Sequence, residues 1–281
     1  MRVTRPAITT IFVVMVLQSA SGRAEPQQAT TDSSTPTRAE IESLLLTGEI
    51  VSDRNVSTSP EQGWRIVVDD GRRRHAAFIE TAAGGDTFQR HHELNVAAYD
   101  LDKLLQLNMV APAVERVVQG RPVSVSWGVD AVLMDEMTRA MRNIAPPDAD
   151  KWNKQMQVVR VFDELTANAY RSIDPSARTT KLWDNLLITR DWTVWLIDHT
   201  RTFSADRQLA HPESLVECDR SLFTRLRALN RALLSQRLEP YLSAEQIDAL
   251  DARRVLIVNH FNDQIASRGE NVVLFDLLPS R

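Results

Sequence analysis

Residues 181–203 read KLWDNLLITRDWTVWLIDHTRTF, and their pattern decides the fold. Two short apolar runs, Leu186 to Ile188 and Val194 to Ile197, flank Thr189-Arg190-Asp191-Trp192, which is the pattern of a small β-hairpin. Asp184-Asn185 enters the first strand and Asp198 leaves the second, so Asn185 and Asp198 converge at the open end of the hairpin. A carbonyl oxygen beside a carboxylate is how a protein presents ligands to a hard divalent cation carrying substrate phosphates. Spacing alone leaves a second reading, in which Asn185 and Asp198 serve ordinary turns and caps.

The elements on either side bear on that choice. Ile66 to Asp69 and His75 to Thr81 are apolar stretches separated by Asp70, Gly71 and three arginines, a hairpin with a charged tip. Glu93 to Leu105 places Leu94, Ala97, Ala98, Leu101, Leu104 and Leu105 at spacings of three and four and predicts an amphipathic helix. Val114 to Val118, Val123 to Trp127 and Ala131 to Met134 are β-rich runs broken by Gly120, Pro122 and Gly128. Beyond Pro146-Pro147, Asp148 or Asp150 caps a helix along which Trp152, Met156, Val159, Phe162 and Leu165 recur. From Leu222 onward the pattern is helical, and Ser243 caps a helix that begins near Ala244. The predicted class is α+β: a sheet-rich N-lobe with one key helix, about residues 38–137, and a helical C-lobe, about 138–281.

This succession of parts resembles a bilobal protein-kinase-like fold. ELNVAAYDLDKLLQLNMVAPAVERVVQGRPV, VRVFDELTANAYR and DNLLI with LIDHTRTF resemble the atypical kinases grouped with phosphatidylinositol 3- and 4-kinases and the secretory-pathway kinases. The resemblance covers about Leu46 to Phe203, and its most specific part is the pairing of DNLLI with LIDHTRTF. It implies that Asn185 and Asp198 hold the Mg²⁺ or Mn²⁺ bound to ATP and that Glu93 orients a nucleotide-binding side chain. Glu80 and Met134 fall on the nucleotide side by the same resemblance. An active member would move the ATP γ-phosphoryl group to a hydroxyl on a protein, glycan or lipid head group.

Two departures from the family pattern fall where phosphoryl transfer needs specific groups. HAAFIET offers no lysine on the strand before the helix, and Ile79 or Glu80 stands where one is expected. A glutamate there reaches a phosphate only through a metal. The family's Asp-Arg-His catalytic loop is matched by Asn168-Ala169-Tyr170-Arg171, with Tyr170 in place of the base, and the insert from Ser172 to Lys181 follows. Asp174 or Asp184 is then the candidate for the base role. A positioned base is worth roughly 10²–10⁴ in rate, so its loss alone cripples turnover, whereas loss of the lysine as well removes a principal cationic clamp. A phosphotransferase and a pseudokinase acting as a binding or scaffold module are therefore both expected readings.

In His91-His92-Glu93, adjacent helical residues point about 100° apart and do not chelate jointly, so a solvated helix start is expected. Cys218 is the single cysteine, which excludes an internal disulfide and reads as a small buried hydrophobe. His199 either hydrogen-bonds near Asp198 or packs in the hairpin.

At the N-terminus, Arg2 and Arg5 precede the apolar run AITTIFVVMVL, Ala7 to Leu17, which suits a signal-peptide core and is too short to span a bilayer. Cleavage is expected after Ala24, and residues 25–37 read as a polar, flexible leader. The mature chain is then exported, periplasmic or secreted, with no transmembrane span. A net charge of −4 with mixed signs argues against nucleic acid as a partner.

Overall fold

The computed structural model describes residues 35–51, 64–81, 91–168, 171 and 185–277. The proposed signal peptide, Asp174, Asp184 and Tyr170 lie outside the described residues. Among those described, no helix is long and apolar enough to cross a membrane.

The N-lobe is a five-stranded antiparallel sheet with a helix on each face. Its strands are β1 (Glu49–Val51), β2 (Trp64–Asp69), β3 (Arg74–Thr81), β4 (Ala113–Val118) and β5 (Arg121–Trp127), in the order β1-β2-β3-β5-β4. The predicted β2–β3 hairpin forms, and Asp70 ties its tip by accepting from the backbone N–H groups of Arg72 and Arg73. Side chains alternate along each strand. Ala77, Ile79, Val114, Val123 and Val125 pack with Leu44 and Leu45 of α1 (Arg38–Thr47) in a core of their own. The sequence reading missed α1, although Thr37 and Glu40 form a capping box at its start.

The opposite sheet face is crossed by α2 (His91–Leu105). Its buried Leu94, Ala97, Ala98, Leu101 and Leu105 belong to the C-lobe core rather than to the sheet core, so α2 sits between the lobes. That placement corrects one expectation. His92 and Glu93 are 1% and 6% exposed, not a solvated helix start, because both flanks of α2 are covered.

The third β-rich run also departs from a simple N-lobe placement. β6 (Val132–Asp135) leaves the first sheet and pairs with β7 (Leu186–Thr189), which pairs in turn with β8 (Val194–Leu196). β6 thereby carries the chain from the N-lobe onto the hairpin that sequence had singled out. Gly128 lies at this crossing, where a Cβ would meet the Ala76 carbonyl oxygen at 2.7 Å while the Gly128 N–H donates to that oxygen at 3.0 Å. Gly128→Ala is expected to lower stability by about 1–3 kcal/mol in urea denaturation, since backbone must shift to admit the methyl.

The C-lobe consists of α3 (Glu136–Met141), α4 (Ala149–Thr166), α5 (Arg220–Ala228), α6 (Arg231–Leu238), α7 (Ala244–Arg268) and α8 (Glu270–Val273), with a short parallel pair β9 (Cys218–Asp219) and β10 (Leu274–Phe275). Asp148, not Asp150, caps α4, and Ser243 caps α7 through a capping box, as its sequence signature indicates. Cys218 is fully buried. The β7–β8 hairpin is clamped on two sides. Gln155 of α4 donates to the Trp192 carbonyl at 2.9 Å and accepts from the Val194 N–H at 3.0 Å. The segment after α2 straps β8 from the other side, with Leu196 N–H to Met109 O at 2.8 Å and Ala111 N–H to Leu196 O at 3.1 Å.

Candidate functional site

The open end of the β7–β8 hairpin brings Asn185 and Asp198 together, with Asn185 Nδ2 donating to Asp198 Oδ2 at 3.3 Å. Asp198 has a positive φ of 50°, a left-handed conformation that aspartate adopts more readily than most residues. Its Oδ1 accepts from the Thr200 hydroxyl at 2.6 Å, which orients the exposed carboxylate. Each Asp198 oxygen keeps acceptor capacity, and the Asn185 amide leaves Oδ1 as an acceptor.

Arg171 holds the two hairpin ends in place. It is 2% exposed. One of its terminal nitrogens donates to the carbonyls of Asn185 at 3.0 Å and Ile197 at 3.1 Å. The other donates to His199 Nε2 at 3.0 Å, and Nε pairs with Asp163 at 3.1 Å. Burial, then the Arg171 charge, holds His199 well below its usual pKa, so the ring is neutral, with Nε2 accepting and the proton on Nδ1. Burial pushes Asp163 up to about 6 against the opposing pull of Arg171, since desolvating a buried ion pair outweighs part of its attraction.

The N-lobe contributes a glutamate where a cation is expected. Glu80 on β3 faces Asp198, and the carboxamide of Asn95 on α2 donates to Glu80. Asn95 Oδ1 in turn accepts from the His199 backbone N–H at 2.6 Å. A single buried side chain therefore links β3, α2 and the residue after Asp198. Glu93 does not take this position. Two residues along a helix is about 200° of rotation, and Glu93 points instead toward Glu115 of β4. Met134 stands in β6 opposite Ile188 of β7, partly buried against the C-lobe core.

No family model matches the chain, and no curated protein matches it. Among solved structures, the crystal structure of a Helicobacter pylori proinflammatory kinase, CtkA, aligns over 79% of this chain and 97% of that one, at a TM-score of 0.50 and 10% identity. The apo structure of a pseudokinase aligns over 78% and 91% at 10% identity, with a TM-score of 0.32. The fold is kinase-like.

Burial first, and the Asp198 carboxylate second, raise Glu80 to about 7, while the Asn95 hydrogen bond pulls the other way. The folded chain thus binds a proton more tightly than the unfolded one. Glu80 contributes stability below about pH 4.5 that is lost as pH rises through about 7. Glu80→Gln keeps the shape and removes the charge. It is expected to stabilise the ligand-free chain at pH 8 by about 3 kcal/mol and to change stability at pH 4.5 by less than about 0.5 kcal/mol. Urea denaturation at the two pH values checks this, and a gain at both would refute it.

Asn95 and Arg171 are the residues that sequence reasoning did not place in the site. Asn95 offered a weak signal, being a polar residue on the opposite side of the helix from Glu93. Arg171 was visible only as the last residue of the Asn168-Ala169-Tyr170-Arg171 stretch.

Proposed function

We propose that the chain is an exported kinase-like protein whose interlobe cleft binds a metal–nucleotide complex through Asn185 and Asp198. The observation that carries this reading is the convergence of those two side chains, 3.3 Å apart, on a hairpin held at both ends by Arg171. The donor set fits Mg²⁺ or Mn²⁺: all oxygens, with Glu80 and Asp198 close enough that the second carboxylate raises the pKa of the first. A divalent cation bound there would neutralise nucleotide phosphates and the charge developing on a transferred phosphoryl group.

The chain's own residues do the positioning. Arg171 fixes the carbonyls of Asn185 and Ile197, Asn95 ties the backbone after Asp198 to Glu80, and neutral His199 accepts from Arg171 without adding charge beneath the site. A second reading, a pseudokinase binding or scaffold module, is favoured by Glu80 itself, a carboxylate where phosphoryl transfer uses a lysine. Asp174 and Asp184, the candidates for the base, lie outside the described residues.

Melting the purified chain with Mn²⁺ or Mg²⁺ and ATP tests the shared part of both readings, since a ligand of the native state raises the midpoint. No shift with any nucleotide would remove them together. Incubation with γ-labelled ATP and an envelope extract separates transfer from binding, and Asp198→Asn must abolish any label seen.

A further inference from the structure

The β3–β5 and β5–β4 registers place Glu80, Ser124 and Glu115 in one row across the sheet, with Glu80 opposite Ser124 and Ser124 opposite Glu115. Residues directly opposite in adjacent strands share a face, and this is the face that α2 crosses. Asn95 of α2 reaches Ser124 at 3.4 Å and Glu80 beyond it. The first turn of α2 lies over the other end of the row. There His92, Glu93 and Glu115 each offer one donor atom, all within 4.8 Å of one another.

From this juxtaposition we propose a divalent transition-metal site, separate from the cleft, formed by His92, Glu93 and Glu115. One imidazole nitrogen and two carboxylates are a donor set suited to Zn²⁺ or Mn²⁺. Donor atoms sharing such an ion stand about 3–3.5 Å apart, following from bond lengths of about 2.0–2.2 Å, so small rotamer adjustments close the cluster. His92 and Glu93 are nearly buried, which fixes two ligands on a rigid helix, while Glu115 is exposed and leaves the remaining coordination positions open to water. Although His92 and Glu93 point about 100° apart on the helix, their side chains each bring a donor atom within 4.8 Å of the other and of Glu115 on the facing strand.

The charges of the site are felt in the C-lobe. Half-buried Tyr241, in the turn between α6 and α7, has its pKa raised by burial and then by Asp100, Glu115 and Glu93. An ion at this junction pins the start of α2 to β4 and steadies Asn95 three residues beyond His92, on the helix that links Glu80 to His199.

The test uses the full chain, freed of metal by chelation and titrated with Zn²⁺ and separately with Mn²⁺ without nucleotide, read by thermal melting. At a hundredfold excess over Kd at least one ion should raise the midpoint by about 5–10 °C. Glu115→Gln, an exposed change that leaves the metal-free midpoint near wild type, should abolish the shift, as should His92→Gln, while Asp198→Asn should retain it. The site is overturned by no shift in wild type with either ion, by a shift that survives Glu115→Gln, or by one that vanishes in Asp198→Asn, which would put the ion in the cleft. This outcome is independent of the cleft reading, which is tested with nucleotide present.

Discussion

Arg171→Met is expected to lower the stability of the chain by about 3–5 kcal/mol, a midpoint drop of about 10 °C for a domain of this size. The guanidinium is 2% exposed and is the partner of Asp163, which is itself 4% exposed. Its removal leaves a buried carboxylate without its counter-charge and takes donors from the carbonyls of Asn185 and Ile197. Removing one partner of a buried pair costs far more than removing both. Arg171→Met with Asp163→Leu should therefore be more stable than Arg171→Met alone, yet below wild type, because the two carbonyls still lack donors. The pH dependence has a definite sign. Asp163 is already raised to about 6 with Arg171 present, and without Arg171 it rises further, so the deficit is largest above pH 7 and shrinks as acid protonates the carboxyl. Urea denaturation at pH 5 and pH 8 reads the difference, and equal deficits at both would contradict the assigned role of Arg171.

Asp198→Asn is expected to act in opposite directions on the free and the liganded chain. With Mn²⁺ and ATP at a hundredfold excess over Kd, wild type should gain about 2.7 kcal/mol, and the variant should lose that gain. Without ligand the variant should melt no lower than wild type at pH 8, and higher if anything, because Glu80 loses a like-charged neighbour. Asparagine keeps the backbone at φ near 50° and retains an oxygen for the Thr200 hydroxyl. Melting curves with and without ligand check both halves. A variant that is destabilised when free and still gains from nucleotide would show that Asp198 is structural and no ligand.

Much of this architecture was legible from local patterns. The hairpin carrying Asn185 and Asp198, the charged β2–β3 hairpin, the helix beginning near Glu93 and the caps at Asp148 and Ser243 all formed near their predicted positions. Each rests on neighbours a few residues apart: alternation in strands, spacings of three and four in helices, and a side-chain oxygen before a first turn. The absence of a lysine from β3, with Ile79 and Glu80 in its second half, was equally legible, since it needs only the order of residues along one strand.

What sequence alone determined was the order of the elements and the meeting of Asn185 with Asp198, because a two-stranded hairpin is closed by its own turn and needs no distant partner. Tertiary structure decided which side of α2 faces Glu80 and the residue after Asp198. Turning that helix by the 200° between Glu93 and Asn95 is settled by what covers each flank, and its apolar residues joined the C-lobe core rather than the sheet core. The same packing moved β6 onto the β7–β8 hairpin, set Arg171 beneath both hairpin ends and drove Glu80 to about 7. It also brought Glu115, from a strand beyond α2, to His92 and Glu93. Burial and field depend on groups far apart in the chain, so no reading of local periodicity contains them.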